Sequence, residues 1–377
     1  MGERTIHTTR KALAAAGVVA IIAAGSTACD PSNSLSTAAK VKQAFDKLGK
    51  QKSLSLEIGF DANADQIFKA MQGQDDFTRD DAAMLAKLKL DYSFGSDTAL
   101  KDAKADDKSF KYGMQLGEGG GKPVLEARQL GDKSYFRVDL KAVMAFAEKH
   151  GKKPGSGDAE SRTMEKLIRQ ADQLPDSLGG AKNALKGEWV SLDKATFEEF
   201  AKSMDKSGSG KSTQPDPETQ KKVYEVLQRA LVDNAEVKDA GKKNGVEHVT
   251  ATVPANKVAK DFAEGLKPLK DKLGDKAPSL DKLNKDLDEL DKKKDKNLVF
   301  DLSIKDGMLA GLSLDAAQFN DDAKAEDKLQ GPLPIAITFK NGAAALTAPA
   351  GAKELKPQDL MGAAMFAMGA GKDGKDV

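Results

Sequence analysis

The chain of 377 residues carries 59 basic and 58 acidic side chains, and 40% of its residues are hydrophobic. Its net charge of +1 argues against a general nucleic-acid binder, because such proteins need an excess of basic residues to displace counterions from phosphates. A single cysteine excludes any internal disulfide, so the fold must be held together by the burial of apolar side chains.

The first 28 residues have the three-part layout of a signal peptide. Basic residues open the segment, the apolar run ALAAAGVVAIIAA follows at 12–24, and small residues at 25–28 form a cleavage region. The apolar run is too short to remain as a transmembrane helix. Export from the cytoplasm is therefore predicted.

Cys29 directly follows this segment, at the position that is acylated in bacterial lipoproteins. The sequence Thr27-Ala28-Cys29 resembles a lipobox, although Ser26 stands where leucine is usual. Because Ser26 and Ala28 also satisfy the small-x-small pattern of ordinary signal peptidase, two outcomes stay open. The protein is either a lipoprotein on the outer face of the cell membrane or a secreted protein. Residues 29–35 are predicted to be the lipidated N-terminus and a short polar spacer.

The first half of the mature chain alternates predicted strands and helices. Ser36–Lys50 has the apolar spacing of an amphipathic helix, and 64–85 is a helical insertion. Period-two alternation and glycine-containing turns predict antiparallel strands at 54–60, 88–94, 110–116, 123–130, 134–139 and 189–192. Further helices are predicted at 141–150, 161–173 and 193–204.

The second half begins with the strong helix start Asp216-Pro217-Glu218, and this helix is predicted to continue to residue 231. Two charged helices are predicted between 257 and 290. Strands are predicted in pairs at 235–238 and 246–253, at 298–304 and 309–314, and at 334–339 and 343–348. Residues 36–350 are interpreted as a single domain, and 351–377 as a C-terminal tail.

These elements predict an α+β fold, in which a curved antiparallel sheet, or half-barrel, packs on helices and carries helical insertions. No motif in the sequence indicates catalysis. The stretch GSGKST at 208–213 lacks the first glycine of a P-loop, because Asp205 stands there, and neither a nucleophile elbow nor paired histidines occur. The sequence therefore predicts no catalytic residue, no metal site and no cofactor.

Four segments together resemble actinobacterial lipoproteins of the LppX/LprG-like group, which are related in fold to the LolA and LolB lipoprotein carriers. They are GDKSYFRVDL at 131–140, GEWVSLD at 187–193, HVTATVPANKV at 248–258 and LVFDLSIKDGMLAGLSLD at 298–315. The resemblance implies a half-barrel that encloses a hydrophobic cavity and carries lipids or lipidated molecules across the cell envelope. Insertions at 64–85, 150–185 and 266–295 distinguish this chain, and a helix pair laid across the sheet would serve either as a lid or as a plug.

The candidate cavity residues are the apolar positions of three predicted strands. They are Leu54, Leu56, Ile58, Phe60, Leu88, Leu90, Tyr92, Phe94, Phe300, Leu302 and Ile304. The pattern alone favours the simpler interpretation that these residues form the core.

A non-catalytic envelope lipoprotein that binds or carries an apolar, lipid-type ligand is therefore predicted, with the membrane as its partner through the lipid anchor. The alternative is a membrane-tethered scaffold or signalling partner that acts through the charged helices of 266–290. The sequence specifies no protein partner and no nucleic acid.

Overall fold

The computed structural model of the protein describes residues 36–74, 77–103, 109–119, 121–149, 166, 168–193, 196, 217–269, 296–319, 328–342 and 346–369. Cys29, the predicted signal peptide and the predicted spacer lie outside these ranges. So do residues 161–165 and 167 of one predicted helix, most of the helix predicted at 193–204, and the charged stretch 270–295.

Within the described ranges, twelve strands form one sheet, and their order shows that it is open. The order is β12-β6-β5-β4-β3-β2-β1-β11-β10-β9-β8-β7, so β12 and β7 are the two edges. Neighbouring strands are antiparallel except for β12 and β6, which are parallel. The strands are β1 Ser53–Phe60, β2 Leu88–Gly95, β3 Lys111–Glu118, β4 Leu125–Leu130, β5 Lys133–Val138, β6 Val190–Asp193, β7 Glu236–Lys243, β8 Val246–Pro254, β9 Asn297–Lys305, β10 Met308–Asp315, β11 Pro334–Asn341 and β12 Lys353–Glu354. The predicted fold class, an α+β protein with a large curved antiparallel sheet, is confirmed.

Eight α-helices lie within the described ranges. They are α1 Thr37–Gly49, α2 Ala64–Ala70, α3 Arg79–Lys87, α4 Leu140–Lys149, α5 Gly179–Lys186, α6 Pro217–Val232, α7 Ala255–Leu266 and α8 Pro357–Gly369. Ser36 caps the start of α1, and its hydroxyl oxygen accepts a hydrogen bond from the Ala39 N–H at 3.2 Å. The apolar stripe of α1 is buried against β8–β10, as the spacing of the sequence predicted.

Helices α2 and α3 form the predicted insertion between β1 and β2. Each begins with a capping box, in which Asn63 pairs with Gln66 and Thr78 pairs with Asp81. Their buried side chains form a separate small cluster with Leu333 and Phe60 at one end of the sheet. The insertion therefore closes one end of the apolar face of the sheet.

The prediction that 351–377 is a tail outside the domain is wrong for residues 353–369, which form β12 and α8 and pack on the rest of the fold. Lys353 and Glu354 pair with β6, and α8 packs against α5 through the buried Ala363. The close approach of α5 requires Gly180, because a Cβ there would lie 2.4 Å from the Glu354 carbonyl oxygen. Residues 370–377 lie outside the described ranges.

The predicted last hairpin is also wrong. Both edges of β11 are already paired, one with β1 and the other with β10, so no edge remains for a following strand. Residues 346–348 instead cross the opposite face of the sheet. Leu346 lies directly over Gly113, and Arg128 donates to the Thr347 carbonyl oxygen at 3.0 Å.

A buried carboxylate organises this crossing. Glu126 is 3% exposed and forms ion pairs with Arg137 and, at 3.6 Å, with Arg128. It also accepts a hydrogen bond from Gln115 at 3.1 Å. Both guanidinium groups lie over the ring of Trp189, at 4.8 and 5.5 Å from its centroid. The cluster fixes β4, β5 and the chain leading to β12.

We expect Glu126→Gln to lower the free energy of unfolding by about 2 kcal/mol, because two partly buried arginines lose their counter-charge. Urea unfolding measures this loss. Glu118→Gln, at the exposed end of β3, is the matched control and should change stability by less than about 0.5 kcal/mol. Equal losses in the two variants would contradict a special role for Glu126.

Candidate ligand site on the apolar face

One aliphatic row runs across nine strands on the same face of the sheet. Each residue stands directly opposite the next in the strand register, so all nine side chains point to the same side. The row is Val249, Leu302, Leu312, Ile337, Ile58, Leu90, Leu116, Leu125 and Val138. We call this side of the sheet the apolar face.

Burial changes abruptly along the row. The four residues from β8 to β11, Val249, Leu302, Leu312 and Ile337, are only 1–3% exposed. The five residues from β1 to β5 are half-buried, although they are of the same aliphatic types. We call the β8–β11 part the covered side and the β1–β5 part the open side.

Helices account for the covered side. Phe45 of α1, Ala230 of α6 and Val258 of α7 share one buried cluster with the strands β8–β11. Leu56 and Ile58 of β1 pack at the margin of this cluster. None of the described apolar residues of β2, β3 and β4 belongs to any of the buried clusters.

Four aromatic rings group together on the open side. The ring of Phe94 lies 6.3 Å from that of Tyr92, 6.2 Å from that of Tyr112 and 6.3 Å from that of Phe110. Tyr92 and Tyr112 also stack, with centroids 6.3 Å apart. Such a group presents a broad, rigid apolar surface at low entropic cost.

The Tyr112 hydroxyl is one of two phenolic hydroxyls on this surface, the other being that of Tyr92. It donates a weak hydrogen bond to the Met114 sulfur at 3.9 Å. Burial, together with the nearby Tyr92, raises the pKa of Tyr112, so its phenol stays neutral and able to donate. A ligand with an oxygen acceptor would offer this hydroxyl a stronger partner than sulfur.

A cavity of about 180 Å³ lies where β5 and β6 meet the start of α8. Its lining is Phe136, Leu192, Thr196, Leu355, Lys356, Pro357 and Leu360. Phe136 stands opposite Ala127, and Leu192 stands opposite Ser134. Ala127 is two residues from Leu125 and Ser134 is four from Val138, so all four lie on the apolar face. The cavity is smaller than the roughly 300–1,000 Å³ pockets that hold whole small molecules, so it has room for part of an apolar ligand.

The structure separates the eleven predicted cavity residues into groups. Phe300, Leu302 and Ile304 are buried on the covered side, and Leu54 of β1 is buried in the same cluster. Leu56 and Ile58 lie at its margin, and Phe60 packs with the α2–α3 cluster. Leu88, Leu90, Tyr92 and Phe94 are half-buried on the open side. Whether any of them contacts a ligand stays a prediction.

Sequence reasoning did not include the neighbouring strands β3 to β5 among the candidates. Tyr112, Met114 and Leu116 show the same alternation as β2 and stand directly opposite Phe94, Tyr92 and Leu90. The alternation was therefore a usable signal. The pairing of β2 with β3, which places the two sets side by side, is a property of the folded sheet.

The opposite face of these strands is charged. The Glu57 carboxylate lies 3.0 Å from the Lys340 amine and 3.7 Å from that of Lys89. The hydrogen bond from Lys340 contributes most to lowering the pKa of Glu57. Partial burial raises the pKa of the neighbouring Asp91. The two faces of the sheet thus differ sharply, and only the apolar one suits an uncharged ligand.

Within the described residues, no group of three or more His, Cys, Asp or Glu side chains could hold a metal ion. None of the helices in these ranges is long and apolar enough to span a bilayer.

Comparison with known proteins finds a similarity to a solved structure. Neither a protein-family model nor a curated protein matches the chain. The chain is similar to the solved structure of the lipoprotein LppX of Mycobacterium tuberculosis. The two are 11% identical, the match covers 82% of this chain and 98% of LppX, and the TM-score is 0.29. LppX belongs to the group that the sequence resembles.

Proposed function

We propose that the protein is a non-catalytic envelope lipoprotein that binds an apolar, lipid-type ligand on the open side of its sheet. The observation that carries this proposal is the aliphatic row, which is 1–3% exposed at four positions from β8 to β11 and half-buried from β1 to β5. Covering the remaining apolar area would contribute about 25 cal/mol per Å². A bound acyl chain would provide that cover.

Location and anchoring are parts of the same proposal. Cleavage after Ala28 and acylation of Cys29 would hold the domain on the outer face of the cell membrane, close to a source of apolar ligands. Mass spectrometry of the membrane-extracted protein tests this step directly. An unmodified Cys29 would contradict the anchor and leave the ligand site as a separate proposal.

The ligand proposal is tested with the Cys29→Ser form purified from its host. We expect extractable lipid to co-purify in a fixed ratio, and an apolar fluorescent dye to compete with it. A preparation with neither bound lipid nor dye uptake would contradict the proposal. The scaffold alternative depends on residues 266–290, most of which lie outside the described ranges, so no described contact favours it.

Tyr112 offers a finer test of ligand class. We expect Tyr112→Phe to weaken binding of an acyl ester about fivefold, because one hydrogen bond contributes about 1 kcal/mol, and to leave binding of a plain hydrocarbon unchanged. Tyr135→Phe is the matched control, since Tyr135 stands opposite Arg128 on the charged face. Fluorescence titration measures both. Equal effects on the two ligands would contradict a polar contact at Tyr112.

A further inference from the structure

Helix α8 is apolar on two sides. Its inner side packs on α5 through Ala363 and Phe366. Its outer side exposes Leu360, Met361 and Met365, which are 48, 59 and 69% exposed. The only charged residue of the helix, Asp359, is 6% exposed and accepts a hydrogen bond from the Lys356 N–H at 3.1 Å. A helix that is covered on one side normally carries polar residues on the other. The exposed apolar side of α8 is therefore a candidate interaction surface.

The exposed side is continuous with the apolar face of the sheet. Leu360 lines the cavity together with Phe136 and Leu192, and it is also half exposed at the surface. An uninterrupted apolar surface therefore runs from the sheet through the cavity to the outside of α8. A groove or mouth of this kind is a route for an apolar molecule.

The composition of the outer side suits a fluid lipid surface. Its exposed large side chains, Leu360, Met361 and Met365, carry no charge, so they could enter the acyl boundary without burying a charged group. The exposed segment before the helix carries Lys353, Glu354 and Lys356, and its net positive charge would favour anionic headgroups. A chain already tethered through Cys29 would need only weak additional contacts, because the tether raises the local concentration of membrane.

We propose that the outer side of α8 docks into the acyl boundary of the membrane surface and turns the cavity mouth at Leu360 toward the lipid. The role of this mouth in ligand exchange rests on the proposed function. The docking itself does not depend on it.

Fluorescence quenching tests the docking in the full chain. The protein has one tryptophan, Trp189, so Met361→Trp adds a single new reporter on α8. Val299→Trp is the matched control, because Val299 is 39% exposed on β9 and lies outside α8. In vesicles of equal parts phosphatidylcholine and phosphatidylglycerol, we expect brominated acyl chains to quench the reporter at 361 about twofold or more. Equal quenching at 361 and 299, or none at 361, would overturn the docking.

A charge substitution gives a second readout. In the Cys29→Ser chain, we expect Met361→Glu combined with Met365→Glu to weaken flotation with the same vesicles about tenfold. If these substitutions instead dissociate a dimer in vesicle-free solution, the outer side is an interface between copies and the proposal is overturned. Intact quenching at 361 without any bound lipid would contradict the proposed function alone, and bound lipid without quenching would contradict the docking alone.

Discussion

The Leu90→Asp variant should lose binding of an apolar ligand by roughly 100-fold or more, because the ligand would have to bury a carboxylate at the centre of its site. Leu90 lies in the middle of the open side, where it opposes Ile58 on one strand and Leu116 on the other. Titration with an apolar dye measures the loss.

The control for this experiment is Val299→Asp, which places the same charge at an exposed position of β9. It should bind the dye as the unmodified protein does. Circular dichroism checks that both variants fold. If Leu90→Asp does not fold, Leu116→Asp on the neighbouring strand repeats the test. A folded Leu90→Asp or Leu116→Asp protein with unchanged affinity would contradict the site.

The Leu302→Ala variant should lose about 3 kcal/mol of unfolding free energy, because Leu302 is 1% exposed and packed against helices, so its removal leaves a cavity. Leu90→Ala removes the same atoms from the same row and should cost only about 1 kcal/mol, because Leu90 is half-buried. Urea unfolding of the two variants gives both values.

This pair tests the division of the apolar face itself. Since residue type, row and sheet are matched, a difference in cost reports only how well each half is packed. Similar losses in the two variants would show that β2 is packed as tightly as β9. A saturating ligand should raise the unfolding free energy of the parent protein by more than it raises that of the Leu90→Ala variant. The reason is that the ligand binds the folded state through the open side, where the variant has lost contact atoms.

The strands were predictable because their alternation is strong and local. Leu54–Phe60, Leu88–Phe94 and Leu298–Ile304 each place every second side chain on one face, and β1, β2 and β9 form there. The strands at 298–304 and 309–314 were predicted as a pair, and Asp306 and Gly307 between them adopt the positive φ that a tight hairpin turn requires.

Helix α8 was not predictable by the same reasoning. Its apolar residues lie on both its inner and its outer sides, so the 3.6-residue contrast between apolar and polar positions that marks an amphipathic helix is missing. Its partner α5 begins with Gly179 and Gly180, which weaken any helical signal in the sequence. Only their mutual packing identifies these two helices as part of the fold.

The sequence by itself determined the two faces of the sheet, since the period of two leaves a strand no other way to separate its apolar and polar side chains. It could not determine which half of the apolar face is covered. Leu90 and Leu302 are the same residue in the same pattern, and they differ only because Phe45, Ala230 and Val258 pack over β8–β11. Those contacts join residues far apart in the chain, so the tertiary structure alone decided where the core ends and where the candidate site begins.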